Sequence, residues 1–218
     1  MPFIKICGLQ SYGDAGLALD CGATALGFLV GLTHRAEDKI DIGTARDIIR
    51  RLPADADTVL VTHLTDAPEI AALADAIGAR SIQVHGDVPP EVVARLAALA
   101  RGRALIKAVH VMGPEAVADA RAYVGIADAL VLDSRTADRL GGTGRTHDWS
   151  ISRRIVEAVA PMPVYLAGGL NPGNVADAIA AVRPAGVDVN SGVEDADGRK
   201  EAEKVRLFVT RALAALRA

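Results

Sequence analysis

Phe3-Ile4-Lys5-Ile6-Cys7-Gly8-Leu9-Gln10-Ser11-Tyr12-Gly13 is the stretch that decides the fold. Its first five residues read as a short strand. The turn that follows lacks the Gly-x-Gly-x-x-Gly that opens many doubly wound dinucleotide-binding sheets. The same kind of unit then repeats along the chain: a short β-rich run, followed by Ala-rich sequence with apolar residues three and four apart. Strands are expected near Phe3–Cys7, Ala25–Val30, Thr58–Thr62, Ser81–His85, Ala104–Val109, Ala129–Asp133, Pro163–Ala167 and Gly186–Asn190. Helical spacing shows in Val92, Val93, Leu96 and Leu99, and again in Ile48, Ile49 and Leu52. Pro68, Pro90, Pro114 and Pro172 stand near the starts of their helical segments, where a missing N–H costs little. A last helix is expected over Lys200–Arg217. Neither a composition break nor a linker interrupts the alternation. One domain over residues 1–218, an α/β fold with its parallel sheet closed into a (β/α)8 TIM barrel, is therefore expected.

Composition agrees with that expectation and removes some functions. Of the 218 residues, 50% are hydrophobic but only 3% aromatic, so the core must be built from Ala, Val, Leu and Ile. So few aromatics speak against a reader of single-stranded nucleic acid, which stacks bases on rings. A net charge of −3 offers no general polyanion-binding surface. No basic leader precedes an apolar run, and no uncharged apolar stretch approaches the roughly eighteen residues of a membrane span. A cytoplasmic protein with neither a nucleic-acid nor a membrane partner is expected. Cys7 and Cys21 make neither a disulfide framework nor a metal cluster.

In such a barrel, chemistry gathers at the C-terminal strand ends. These end in Cys7-Gly8, His85-Gly86, Asp133-Ser134, Gly168-Gly169 and Asn190-Ser191-Gly192. Strand side chains alternate, so Phe3, Lys5 and Cys7 share one face, as do Val131 and Asp133. A thiol and a carboxylate then face each other across the mouth. The bland alternative for Cys7 is a small buried hydrophobe, but Lys5 on its face favours the thiolate. For Asp133 the alternative is a helix N-cap. Cys21, inside a helical segment, reads as packing.

Gly168-Gly169 and Ser191-Gly192 follow the last two strands, where barrels commonly bind phosphate through bare backbone N–H groups. Gly141-Gly142-Thr143-Gly144 lacks the Gly-Lys-Ser/Thr of a nucleotide loop. It reads as a lid, an anion-binding turn or a plain connection within a long loop from Ser134 to Asp148. Arg35 can clamp a carboxylate with two parallel hydrogen bonds, or simply be a solvated surface residue. His34, His63, His85, His110 and His147 are scattered without metal-site spacing. Only His85 is placed to hydrogen-bond a substrate.

Taken in order, Lys5-Ile6-Cys7-Gly8, Gln83-Val84-His85-Gly86, Leu132-Asp133-Ser134, Gly141-Gly142-Thr143-Gly144, Asp148-Trp149, Leu166-Ala167-Gly168-Gly169-Leu170 and Ser191-Gly192-Val193-Glu194 resemble the phosphoribosylanthranilate isomerase family over essentially the whole chain. The resemblance implies an Amadori rearrangement of N-(5-phosphoribosyl)anthranilate, a step of tryptophan biosynthesis, without cofactor or metal. By the same resemblance Asp133 is the general acid and Cys7 the general base. Gly168, Gly169, Ser191 and Gly192, helped by Gly142 and Gly144, hold the phosphate, and Arg35 faces the anthranilate carboxylate. The partner implied is a small phosphorylated substrate, bound by a monomer or homodimer. Departures from the family pattern fall at Thr33-His34-Arg35, Val61-Thr62-His63-Leu64, His147-Asp148-Trp149 and Asn190. They leave room for a paralogue acting on another phosphorylated aminosugar, or for a non-catalytic phospho-ligand-binding barrel. Trp149, Tyr12 and Phe28 are among the few rings available to an aromatic pocket.

Overall fold

The computed structural model describes residues 2–32, 38–136, 139–140 and 147–218. Its barrel strands are β1 Phe3–Ile6, β2 Ala25–Leu29, β3 Asp57–Thr62, β4 Ser81–Val84, β5 Ala104–His110, β6 Ala129–Asp133, β7 Val164–Leu166 and β8 Gly186–Val189. Each pairs in parallel with the next in sequence, and β8 pairs back onto β1 with Phe3 opposite Gly186 and Lys5 opposite Asp188. The sheet is a closed barrel. Parallel neighbours need a long crossover, which the helices supply. These are α1 Tyr12–Asp20, α2 Ile42–Ile49, α3 Ala67–Ile77, α4 Pro90–Leu99, α5 Ala116–Arg121, α6 Trp149–Val159, α7 Val175–Val182 and α8 Ala202–Arg217.

Local chemistry sets the helix starts. Ser11, Asp41, Asp66 and Asp148 are N-caps whose side chains accept from backbone N–H groups of the first turn. Pro68 and Pro90 occupy first-turn positions that need no internal donor. One expectation is corrected. The stretch after Ser134, read as a single long loop, contains a short antiparallel pair, Arg135–Thr136 with Arg139–Leu140.

The alternation of strand side chains divides the interior in two. One set, including Ile4, Ile6, Leu26, Leu60, Ile82, Val84, Leu130, Leu132, Val187 and Val189, packs outward against the helices in one large aliphatic core. Each fully buried side chain of this kind stabilises the fold by about 1.5–3 kcal/mol. The opposite set faces the barrel axis, where space is short and residues are small: Ala25, Val59, Val61, Ile106, Ala108, Ala129, Val131 and Ala167, with Cys7. Among them stand the buried polar residues Lys5, Ser81, Gln83, His85, Asp133 and Asp188. Phe3 and Tyr165 stack at 3.8 Å between centroids near the strand starts. At the N-terminal end Ser81 Oγ donates to Asp57 Oδ1 at 2.7 Å, and the remaining buried polar residues of this face lie at the middle and the C-terminal end.

Candidate active site

At the end of β1, Cys7 is buried at 6% exposure. Its place depends on Gly27 of β2, where a Cβ would stand 2.7 Å from the Cys7 sulfur. Only a residue without a side chain leaves the thiol room there. Burial pushes the Cys7 thiol up to about 12, with the Lys5 ammonium pulling the other way. The resting residue is therefore a neutral thiol.

Asp133 ends β6 at 9% exposure. It is not a helix cap: its Oδ1 accepts from the N–H of Ser134 at 2.7 Å. Its Oδ2 lies 3.4 Å from His85 Nε2. Burial, and then the Asp188 carboxylate, raise it to about 7, against the Ser134 hydrogen bond and the charge of Lys5. A carboxyl with that value carries a proton for a large part of the time near neutrality, as a general acid must. Gly168 allows this placement. At φ +80° it occupies the left-handed region, and a Cβ there would stand 2.6 Å from Ser134 N and 3.0 Å from Asp133 Oδ1.

Lys5 joins the two ends of the site. Its Nζ lies 3.0 Å from Asp188 Oδ2 and also donates to Gln83 Oε1. Burial alone would lower its pKa, but the Asp188 carboxylate and its other anionic neighbours outweigh that and raise it. Cys7 and Asp133 both feel its charge. Gln83 continues the line to His85, with Nε2 3.1 Å from His85 Nδ1.

The structure gathers three histidines that sequence spacing scattered. His63 stacks on His85 at 5.3 Å, and His110 meets His85 edge-on at 5.1 Å. His110 Nε2 also lies 3.1 Å from the backbone oxygen of His85. The available signal was positional: each follows or ends a successive strand, β3, β4 or β5. Burial, then the neighbouring His110 and His63, hold the His85 pKa well below its usual value, so this ring is neutral. His147 belongs elsewhere, bonded through Nε2 to Ser152 Oγ at 2.6 Å and lowered to about 4 by burial.

The aromatic residues singled out from the sequence do not meet at the mouth. Phe28 faces the helices, and Trp149 packs on the outer apolar core. Tyr12 lies beneath the Arg51 guanidinium, 3.9 Å from its ring centre. The rings at the mouth are imidazoles.

Around the rim, Gly168 and Gly169 both adopt positive φ, and Ser191-Gly192-Val193 forms a single 3-10 turn after β8. Asn190 donates from Nδ2 to Asp38 Oδ2 at 2.5 Å and accepts at Oδ1 from Lys200 Nζ at 2.7 Å. Lys200 in turn pairs with Glu194 at 2.5 Å. These bonds tie the end of the β2 loop to the rim of β8. Arg35, Gly142 and Gly144 lie outside the described residues. Sequence reading gave Gln83, Asp188, Gly27, His63 and His110 no part in the site. Among the described residues, no group of three or more His, Cys, Asp or Glu is arranged to hold a metal ion. None of the described helices is long and apolar enough to cross a membrane.

Residues 4–211 match the family described as N-(5'phosphoribosyl)anthranilate (PRA) isomerase. N-(5'-phosphoribosyl)anthranilate isomerase 2 of Methanosarcina mazei is 43% identical over 211 residues, spanning 96% of this chain and 93% of that protein. The crystal structure of phosphoribosyl anthranilate isomerase from Thermotoga maritima is similar with a TM-score of 0.86 at 32% identity, covering 98% of this chain and all of the other. A phosphoribosyl anthranilate isomerase in complex with reduced 1-(o-carboxyphenylamino)-1-deoxyribulose 5-phosphate is similar with a TM-score of 0.83 at 30% identity, covering 98% of this chain and all of the other.

Proposed function

This chain belongs to the N-(5'-phosphoribosyl)anthranilate isomerase family, and we propose that Cys7 and Asp133 are the base and the acid of its reaction. It is an isomerase of tryptophan biosynthesis, converting N-(5'-phosphoribosyl)anthranilate to 1-(2-carboxyphenylamino)-1-deoxyribulose 5-phosphate. Substrate and product have the same atoms, so the protein has only to move protons. Asp133 donates to the ring oxygen of the ribose as the nitrogen lone pair forms a C1=N bond and the C1–O bond breaks. Cys7 then takes the proton from C2, and its electron pair forms C1=C2 as the iminium nitrogen becomes neutral. The enolamine yields the ketone when its hydroxyl loses a proton and C1 gains one.

The resting thiol is too weak an acid to be a ready base, since burial raises it to about 12. The cationic iminium supplies the missing charge. A positive centre beside the sulfur lowers its pKa, adding to the pull of Lys5, so the thiol releases its proton to water and the thiolate then takes the one from C2. Backbone amides of Gly168, Gly169, Ser191 and Gly192, with the Gly142–Gly144 loop, hold the phosphate. By the sequence resemblance Arg35 is assigned to the carboxylate of the anthranilate ring, and His85 contacts the substrate beside Asp133. The observation that carries this reading is the poised carboxyl of Asp133. It is fixed by Ser134 and His85, and it shares the field of Lys5 with Cys7.

The test is turnover of freshly generated N-(5'-phosphoribosyl)anthranilate by wild type, Cys7→Ser and Asp133→Asn. Each substitution is expected to lower kcat by about 10²–10⁴-fold with the fold intact. Near wild-type turnover in either variant would sink its assignment. Preference for another phosphorylated aminosugar would reassign the group on the amine.

A further inference from the structure

Gln83 is buried in the centre of the barrel, touches both Lys5 and His85, and has no part in the rearrangement as written above. A glutamine amide presents an oxygen that accepts and a nitrogen that donates. Crystallographic shape rarely distinguishes the two, but their partners here do. An ammonium has only protons to offer, so the amide oxygen must face Lys5. The amide nitrogen then faces His85, and at 3.1 Å it donates to Nδ1. A neutral imidazole carries one proton. With Nδ1 accepting, that proton is on Nε2, the nitrogen 3.4 Å from Asp133 Oδ2. The direction of every bond in the line follows from the charge at its origin, and that charge is held by Asp188 at 3.0 Å.

We propose that Gln83 is a positioning residue of the isomerisation: relaying the orientation of Lys5, it fixes His85 in the Nε2–H form and so keeps the acid proton of Asp133 available to substrate. A ring nitrogen that already bears hydrogen cannot take the carboxyl's proton. In the other tautomer, the bare Nε2 would stand as an acceptor next to the acid and compete with the ribose oxygen. Ser134 already donates to Oδ1 at 2.7 Å, and His85 Nε2 stands 3.4 Å from Oδ2, so neither contact draws the acid proton away. Four further groups act on His85, and each opposes a positive charge on its ring. His63 follows β3, His110 and Lys107 come from β5, and Lys5 comes from β1. Each resists a second proton on the ring, which would destroy the distinction between its two nitrogens.

The inference rests on Asp133 being the acid, but its first test does not. In unliganded wild type, ¹⁵N NMR of His85 is expected to show a bare Nδ1 and a protonated Nε2. A protonated Nδ1 would overturn the proposal whatever the enzyme does. Gln83→Glu keeps the shape but replaces the donor with an acceptor that Lys5 can still bind. In this variant Nδ1 is expected to be protonated and kcat to fall about 10–100-fold, with KM changed less than about threefold. Gln83→Met, which neither donates nor accepts, is expected to fall between the two in kcat and to show both tautomers. Unchanged kcat in Gln83→Glu, or a loss confined to KM, would overturn the proposal. If Asp133→Asn retains turnover while the wild-type tautomer is as stated, the acid assignment fails and the orientation of Gln83 does not.

Discussion

The two faces of the barrel strands are built to different rules. Outward residues such as Ile4, Ile6, Ile82, Val84, Leu130 and Leu132 are aliphatic, closely packed and interchangeable in kind. Their inward neighbours on the same strands include Lys5, Cys7, Gln83 and Asp133, which carry polar or reactive groups among small packing residues such as Ala129 and Val131. A backbone fixed by the first set carries the second at a spacing of two residues. Rigidity is thus provided beside the chemistry, not by it. That lets groups as costly to bury as a lysine and two carboxylates sit within one narrow space.

Lys5→Met attacks this division most severely, because it leaves Asp188 buried without its cation. A loss of about 3–5 kcal/mol in unfolding free energy is expected at pH 7. A fall in kcat should accompany it, since Cys7 also loses the ammonium that draws its pKa down. Denaturant titration and turnover, measured together, separate the two; loss of stability alone would confine Lys5 to the inner scaffold. Ile82→Ala tests the outer face of the strand that carries Gln83. It should cost about 2–5 kcal/mol in stability while kcat per folded molecule is kept. A large drop in kcat at full folding would show that the faces are not separable. Gly27→Ala brings a methyl against the Cys7 sulfur from an adjacent strand. It is expected to cost about 1–3 kcal/mol and to slow turnover, and an inactive but equally stable protein would show that only the thiol moves.

One expected effect reverses the usual sign. Asp133 is raised to about 7 in the folded protein from 3.8, so folding favours its protonated form. Its stabilising contribution is complete below the unfolded pKa and is lost as pH rises through the folded one. Asp133→Asn escapes that loss. Relative to wild type it should gain about 3–4 kcal/mol between pH 4 and pH 8 while losing activity. Parallel stability curves across that interval would mean the carboxyl is not held as described.

Much of this was legible in the primary structure because strand periodicity reports on local environment. The expected strands overlap all eight barrel strands, and the polar strand ends exposed Cys7, His85 and Asp133 directly. Asp188 was also visible in principle, as a carboxylate inside the apolar run Gly186-Val187-Asp188-Val189. Gln83 was visible in a motif but had no assigned partner. What could not be read was which residues closure brings together. Lys5, Gln83 and Asp188 are separated by much of the chain, and the three histidines meet only because successive strands are neighbours. Gly27 matters through another strand's side chain, a relation that no local pattern records. The ring-bearing residues were misjudged for a related reason: Phe28 sits one step out of phase with the inward face.

The pairing of β1 with β8 gives the protein a time order as well as a shape. Lys5 is synthesised well before Asp188, yet they stand opposite each other in register. Until β8 has been made, the ammonium has no carboxylate from it to meet, and the barrel has no closing strand. A nascent or truncated chain therefore cannot assemble a working centre from its earlier strands alone. Catalytic competence therefore arrives only when β8 has joined β1.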